Sequence, residues 1–498
     1  MLSVAACQMT PFAKVGLVRT LTQTDLGQQS EGMTEDAFRG HAARPALPAA
    51  ESAKSRPCRN QSVVVAYGQV KRHPPTFIFA TVLLLMAFSL GWLAMEASHT
   101  AKVAKSDAPE LIRRPKVGTK RSMPQEVPTR EQNKPASQPQ VEALNVPGAL
   151  PNEALLTFRT PEALATFRDR SALLGLEVLG HDIQLRTARV RFRDTAGLEH
   201  DLNEHATDYT HVGPNYLVRI PGLPEPAPQT DTANAGGAEP FRSQGLEAIG
   251  ASGNRNGWGQ GLTVAVIDSG IAAHPSLKDV QITHIDLVND GSAMNGHGTA
   301  MASLIAGNDT SVSGVAPAAK LLDIRVADTH GDSNTALLSS AIVKATDLGA
   351  RVINVSLGSS GSAPMLEAAV RYAQSRHVII VAAAGNEQQN ALSMPAGIPG
   401  VLSVGAVDAN GTQAYFSNSG PGLTLVAPGV GIISGYAENQ LVIGSGTSQA
   451  TAITSGVVAS LLSRGYHGTN IIPLLTRTAK PLGTSKEAVG AGLIQVTH

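Results

Sequence analysis

Cysteine is almost missing from this 498-residue chain, and its two copies, Cys7 and Cys58, both lie near the start. Everything after residue 58 is therefore closed to disulfides and to thiol chemistry. Closely spaced His and Cys ligands are lacking, as is any HExxH run, so a zinc mechanism has no support. No sign of charge is in excess. Thirty-nine basic side chains balance 39 acidic ones, so no overall field draws the chain to nucleic acid or to an anionic surface. Charged residues make up only 16%, against roughly 25% in an average soluble domain. What is abundant is glycine, 49 residues of it, which suits a compact chain with many tight turns and close backbone approaches.

Residues 1–76 are polar, mixed and without sustained periodicity, and no fold is expected there. Residues 77–95, FIFATVLLLMAFSLGWLAM, carry no charge and follow Lys71 and Arg72. That length spans a bilayer, and the basic flank favours a cytoplasmic N-terminal side. An uncleaved anchor is preferred to a signal peptide, because Ala94 to Ala104 offers no clean small-x-small cleavage site. The polar stretch before Lys71 raises a second expectation, a translation start further down the chain. Residues 97–150, rich in Pro, Lys, Arg, Gln and Ser, read as an extended tether that cannot build a core.

Residues 151–220 are periodic again. ALLTF, LEVLG, ARVRF and NYLVRI read as strands. Pro161 opens a helix whose Leu164, Phe167, Leu173 and Leu174 share a face, and a second helical pattern runs from Leu198 to His205. The order βαββαβ predicts a small α+β ferredoxin-like sandwich. Residues 221–240 are an exposed, cuttable linker. From 241 to 498 apolar runs alternate with helical patterns: LTVAVID, AKLLDIRV, RVINVSL, VIIVAAAG and VLSVGAV. Such runs mark parallel strands buried on both faces, in a three-layer α/β domain whose site lies beyond the strands' carboxyl ends. Asn334 is the expected N-cap of a helix that stops at Gly349.

Four polar residues fall where that architecture puts chemistry. Asp268 closes TVAVID just before a Ser-Gly turn, and His297 opens a helix in NGHGTAMASLIAG. Asn386 follows the strand ending in VAAAG, with a side-chain amide able to donate to an oxyanion. Ser448, in GTSQATAITSGVVASLL, sits in the first turn of an apolar helix. Free N–H groups and the positive helix end there favour developing negative charge. A serine hydroxyl needs a base beside it and donors for the oxyanion that its attack creates.

Together the blocks VAVIDSG, NGHGT, AAAGN and GTSQA resemble the subtilisin-like serine peptidases over residues 241–497. The order Asp, His, Ser is the known order of subtilisin itself, so this is a match to a recorded pattern. The resemblance implies a subtilisin-like catalytic domain in which Ser448 attacks, His297 carries the proton and Asp268 fixes the imidazole. It implies that Asn386 and the Ser448 N–H hold the oxyanion. Ser356, Leu357 and Gly358 would pair with an extended peptide, and Ala383, Ala384 and Gly385 would line the primary pocket. Ser393 would narrow that pocket toward smaller side chains.

Three positions depart from the family: Ala300 where a second histidine is usual, Gln449 for methionine, and Ala452 for proline. The segment Gly307 to Gly314 is shorter than the calcium-binding loop of many relatives, so no metal or other cofactor is expected. The resemblance also makes residues 151–220 a prodomain that assists folding and blocks the cleft, with cleavage in 221–240. Protein or peptide substrates, the chain's own prodomain and the membrane through 77–95 are thus the expected partners. The expected location is the membrane, with the catalytic part periplasmic or extracellular, or released after processing. A catalytically silent, peptide-binding relative is the competing reading. An α/β-hydrolase is disfavoured by the missing GxSxG and by an acid that precedes its histidine.

Overall fold

The computed structural model describes residues 140–221 and 238–497. The expected anchor at 77–95, the residues before it, most of the tether and most of the linker lie outside these. Among the described residues no helix is long and apolar enough to cross a membrane.

The first part of the described chain contains β1 (Gln140–Val141), β2 (Ala149–Phe158), α1 (Pro161–Arg170), β3 (Leu176–Asp182), β4 (Thr187–Phe192), α2 (Ala196–Glu204) and β5 (Tyr209–Arg219). Strand order β1-β5-β2-β4-β3 carries out the expected βαββαβ path, with β5, β2, β4 and β3 antiparallel. Thr160 caps α1 by accepting from Ala163 N at 3.1 Å, and Pro161 takes the first helical position, where its missing N–H leaves no gap. Leu164 and Phe167 then face Leu156, Phe158 and Tyr209 in a core of their own.

Two expectations need correction. Leu173 does not join the helix face: α1 ends at Arg170, a 3-10 turn follows, and Leu173 is 90% exposed. The tether also ends earlier than residue 150. Gln140 and Val141 pair in parallel with His211 and Val212, so a sheet edge recruits backbone whose composition could build no core.

The second part is built on β6 (Thr263–Asp268), β7 (Ile282–Asp286), α3 (His297–Ala306), β8 (Lys320–Arg325), β9 (Asp332–Asn334), α4 (Thr335–Asp347), β10 (Val352–Val355), α5 (Pro364–Ser375), β11 (Ile379–Ala383), β12 (Leu402–Val407), β13 (Leu425–Pro428), β14 (Ile432–Gly435), β15 (Leu441–Gly444), α6 (Thr447–Ser463) and α7 (Gly468–Thr478). Seven strands form one parallel sheet in the order β13-β12-β11-β10-β6-β8-β7. Side chains alternate between its faces. Val264 and Val266 pack with Met301 and Ile305 of α3 and Val457 and Val458 of α6, while Ala265 and Ile267 pack with Leu338 and Ile342 of α4 and Leu366 and Val370 of α5. The chain leaves β6 toward β7 and β8 on one side and returns to β10 on the other. That switch point opens a crevice at the carboxyl end of β6, where Asp268 stands.

The small domain docks through its other sheet face. Leu155 and Val218 join the core beneath α4 and α5. Asn334 caps α4 as expected, accepting from Leu337 N at 3.1 Å. A second cap comes from the small domain: Asn215 Oδ1 accepts from Thr335 Oγ1 at 2.9 Å and from Ala336 N at 3.2 Å. Asn215 is itself held by Glu153, which receives its amide at 2.8 Å and Arg189 at 2.7 and 2.9 Å. Burial alone would raise the Glu153 carboxyl, but the hydrogen bonds from Arg189 and Asn215 and the charges of Arg189 and Arg191 bring it below its ordinary value of 4.5. Docking stability from this group is therefore complete above that value and lost as pH falls through the lowered one. In the uncut chain, Glu153→Gln should lower stability by about 2 kcal/mol at neutral pH, a difference that shrinks as pH falls below 4.5 and through the lowered value. Melting curves across that interval check it, and an unchanged pH slope would refute it.

Candidate active site

Asp268 is fully buried at the end of β6. Its Oδ1 accepts from Ser269 N at 2.8 Å and Ser269 Oγ at 3.2 Å. The His297 ring lies against the same carboxylate, Nδ1 being 2.8 Å from Oδ1 and 3.0 Å from Oδ2. With Nδ1 protonated as the donor, Nε2 is left as an acceptor facing the crevice. Two glycines permit this approach. Gly270 has φ +92°, and a Cβ on Gly298 would meet Gly270 O at 2.5 Å. Gly298 N also donates to Ser269 Oγ at 3.1 Å, which ties the start of α3 to the turn after Asp268.

Ser448 is the second residue of α6 and is buried. Its Oγ donates to the Ser356 carbonyl at 3.2 Å, while Ser356 Oγ donates back to Ser448 O at 3.3 Å. Below them Asn354 Nδ2 donates to Ser356 Oγ at 3.0 Å and Ser455 Oγ to Asn354 Oδ1 at 2.9 Å. This buried polar column fixes the start of α6 against β10. Among the described residues no hydrogen bond joins Ser448 to His297, so Asp268 and His297 are brought together and the hydroxyl is parked on a neighbouring carbonyl.

Asn386 Oδ1 accepts from Thr447 N at 2.9 Å and from Thr447 Oγ1 at 2.8 Å. Both bonds hold the carbonyl end of the side chain, leaving the amide nitrogen as a donor toward the start of α6. Gly446 makes the room, since a Cβ there would lie 3.1 Å from Asn386 Nδ2. Thr447 was not singled out by the sequence, although its place directly before Ser448 is the signal that finds it.

A cavity of about 120 Å³ is lined by Pro221, Leu357, Gly358, Ala383, Gly385, Glu387 and Ser393, among others. Ala384 is not among its walls. That side chain packs into the core, and only its carbonyl turns outward, accepting from Ser393 N at 2.9 Å and Asn418 Nδ2 at 3.1 Å. Ser393 Oγ would sit 2.4 Å from a Cβ on Gly385, so it narrows this space as expected. Gln449 and Ala300, two of the departures, line a neighbouring cavity with His297 and Tyr436.

The comparisons with known proteins point one way. Residues 259–492 match the model of the subtilase family. The thermostable alkaline protease of Halalkalibacterium halodurans is 39% identical over 246 residues, covering 48% of this chain and 68% of that protein. Subtilisin Savinase of Lederbergia lenta is 37% identical over 252 residues, 49% of this chain and 92% of its own length. The chain belongs to the subtilase family. This subtilase is a serine-type endopeptidase with the subtilisin-like parallel sheet. Its fold is also like that of fervidolysin from Fervidobacterium pennivorans, described as a keratinolytic enzyme related to subtilisin. The TM-score is 0.62 at 24% identity, over 72% of the subtilase and 62% of fervidolysin.

Proposed function

We propose that this subtilase is made as a membrane-targeted precursor that cuts itself, with the domain 151–220 acting as its prodomain. Asp268, His297 and Ser448 form the catalytic triad. The observation that carries this reading is the path of the tail after β5. Arg219 and Gly358 exchange backbone hydrogen bonds at 2.9 Å in both directions, and Ile220 N donates to Gly331 O at 2.9 Å. The tail is thus an added strand between two segments of the cleft, as a bound peptide would be. Pro221 follows and lines both the Leu357–Gly358 cavity and the one beside His297.

The chemistry follows from this register. Continued two residues beyond Arg219, the antiparallel register would set Pro221 opposite Ser356, and proline has no N–H to give that carbonyl. Ser356 O is left to accept the Ser448 hydroxyl instead. A substrate carrying an N–H at that register competes for Ser356 O and turns the hydroxyl toward Nε2 of His297. His297 then takes the proton as the oxygen attacks, and Asp268 stabilises the imidazolium. Asn386 Nδ2 and the Ser448 N–H receive the oxyanion, and His297 returns the proton to the leaving amine. Residues 77–95 place this chemistry outside the cytoplasm, and cleavage within 221–240 separates residues 241–498 from the anchor. A fluorophosphonate probe on the processed chain tests the reading: one adduct, on Ser448, is expected. An adduct on another residue, or none on a folded chain, would overturn it.

A further inference from the structure

Behind the triad lies a second carboxylate–imidazole pair. Asp323 sits on β8, beside Val266 of β6 and His284 of β7 in the sheet register. It is fully buried, yet its Oδ2 accepts from Ile271 N at 2.9 Å and approaches His284 Nδ1 at 2.6 Å, while Oδ1 has no hydrogen-bond partner. Ile271 closes the turn that Asp268 opens. The His284 side chain is 41% exposed.

A buried carboxylate is expensive, and an apolar residue of the same size in a sheet interior is often neutral or stabilising. Core stability alone gives little reason for Asp323. Its contacts give another. Asp268 holds one end of the Ser269–Gly270 turn and Asp323 holds the other through Ile271. The turn meanwhile receives Gly298 of α3 on Ser269 Oγ, and so sets the distance between Asp268 and His297. We propose that Asp323 is a positioning residue for the Asp268 turn, and that His284 is the solvent-side partner that holds its Oδ2 in place. This rests on the reading of Asp268 as the triad acid.

The charged groups around the pair fit. From β6 comes Asp268, bonded in turn to His297 of α3. From β7 come His284 and Asp286. From β8 itself comes Arg325, which is engaged by Asp286 at 3.0 Å and Asp290 at 3.0 Å, leaving the His284 ring as the side chain bonded to Asp323. Burial first, and the Asp268 charge with it, pushes the Asp323 carboxyl above its ordinary value, against the pull of Ile271 N–H and His284.

The test is made on the full chain, processed to its mature form, with kcat and KM referred to sites titrated by the fluorophosphonate. Asp323→Leu should lower kcat at least about tenfold with KM nearly unchanged, and Asp323→Asn, whose amide oxygen still accepts Ile271 N–H, should recover most of it. His284→Ala, which removes the ring against Oδ2 at a partly exposed position that tolerates truncation, should lower kcat severalfold with KM nearly unchanged. Unchanged kcat per titrated site in Asp323→Leu, or no recovery of kcat in Asp323→Asn, would overturn the inference. Asp268→Asn serves as the control: if it retains full activity the triad reading itself has failed, and if it alone is inactive only the role of Asp323 has.

Discussion

Ser448→Ala leaves the chain uncut and lowers peptide hydrolysis by about a millionfold, a loss carried over from subtilisin itself. The structural reason to expect a clean effect is local. Ser448 Oγ makes one hydrogen bond, to Ser356 O, and the buried column of Ser356, Asn354 and Ser455 continues beneath without it. Removing one oxygen therefore leaves α6 seated and the Asn386–Thr447 contact intact. Intact mass of the expressed chain reads the outcome. A uniform full-length product is expected, with the tail of β5 still paired to Gly358. Normal processing in this variant would show that another peptidase cuts 221–240, and undiminished turnover would remove Ser448 from its role.

The strands of the parallel sheet were legible because both faces are buried: Val352–Val355 and Ile379–Ala383 are wholly apolar or nearly so, and no water-facing residue breaks the run. Edge positions were not. ITHID at β7 is half polar because it borders solvent, and β13 is four residues ending in proline. The short β9 exists only because β5 pairs with it, a long-range condition that no local window contains. Asp268, His297, Asn386 and Ser448 were legible through motif blocks, each at a strand end or helix start. Asp323 was not, since one carboxylate in AKLLDIRV looks like a flaw in an apolar strand. Its meaning comes from His284, 39 residues earlier, and from Ile271, 52 residues earlier, joined to it only by the sheet. The course of Ala384 was not legible either. It lies one residue past β11, where alternation ends, and its side chain turns into the core that also holds Ile379 and Val381.

Asp268→Asn should lower kcat by about 10⁴-fold, the order seen when the triad acid of such an enzyme is changed, while KM and stability move little. The hydrogen bonds around the carboxylate decide the direction. Ser269 N and Ser269 Oγ both donate to Oδ1, so an asparagine keeps its oxygen there and turns its NH₂ toward His297 Nδ1. An amide donor on Nδ1 forces that nitrogen to accept, which moves the ring proton to Nε2. The imidazole then meets Ser448 with a donor where a base is needed, although every heavy atom stays in place. Loss of the negative charge adds to this, because the imidazolium formed during attack faces a neutral buried group. Rate profiles of the processed variant should show activity climbing toward high pH, where hydroxide can replace the missing base. A variant whose rate falls only a few-fold, with the wild-type pH profile, would mean that His297 does not act as the base held by Asp268.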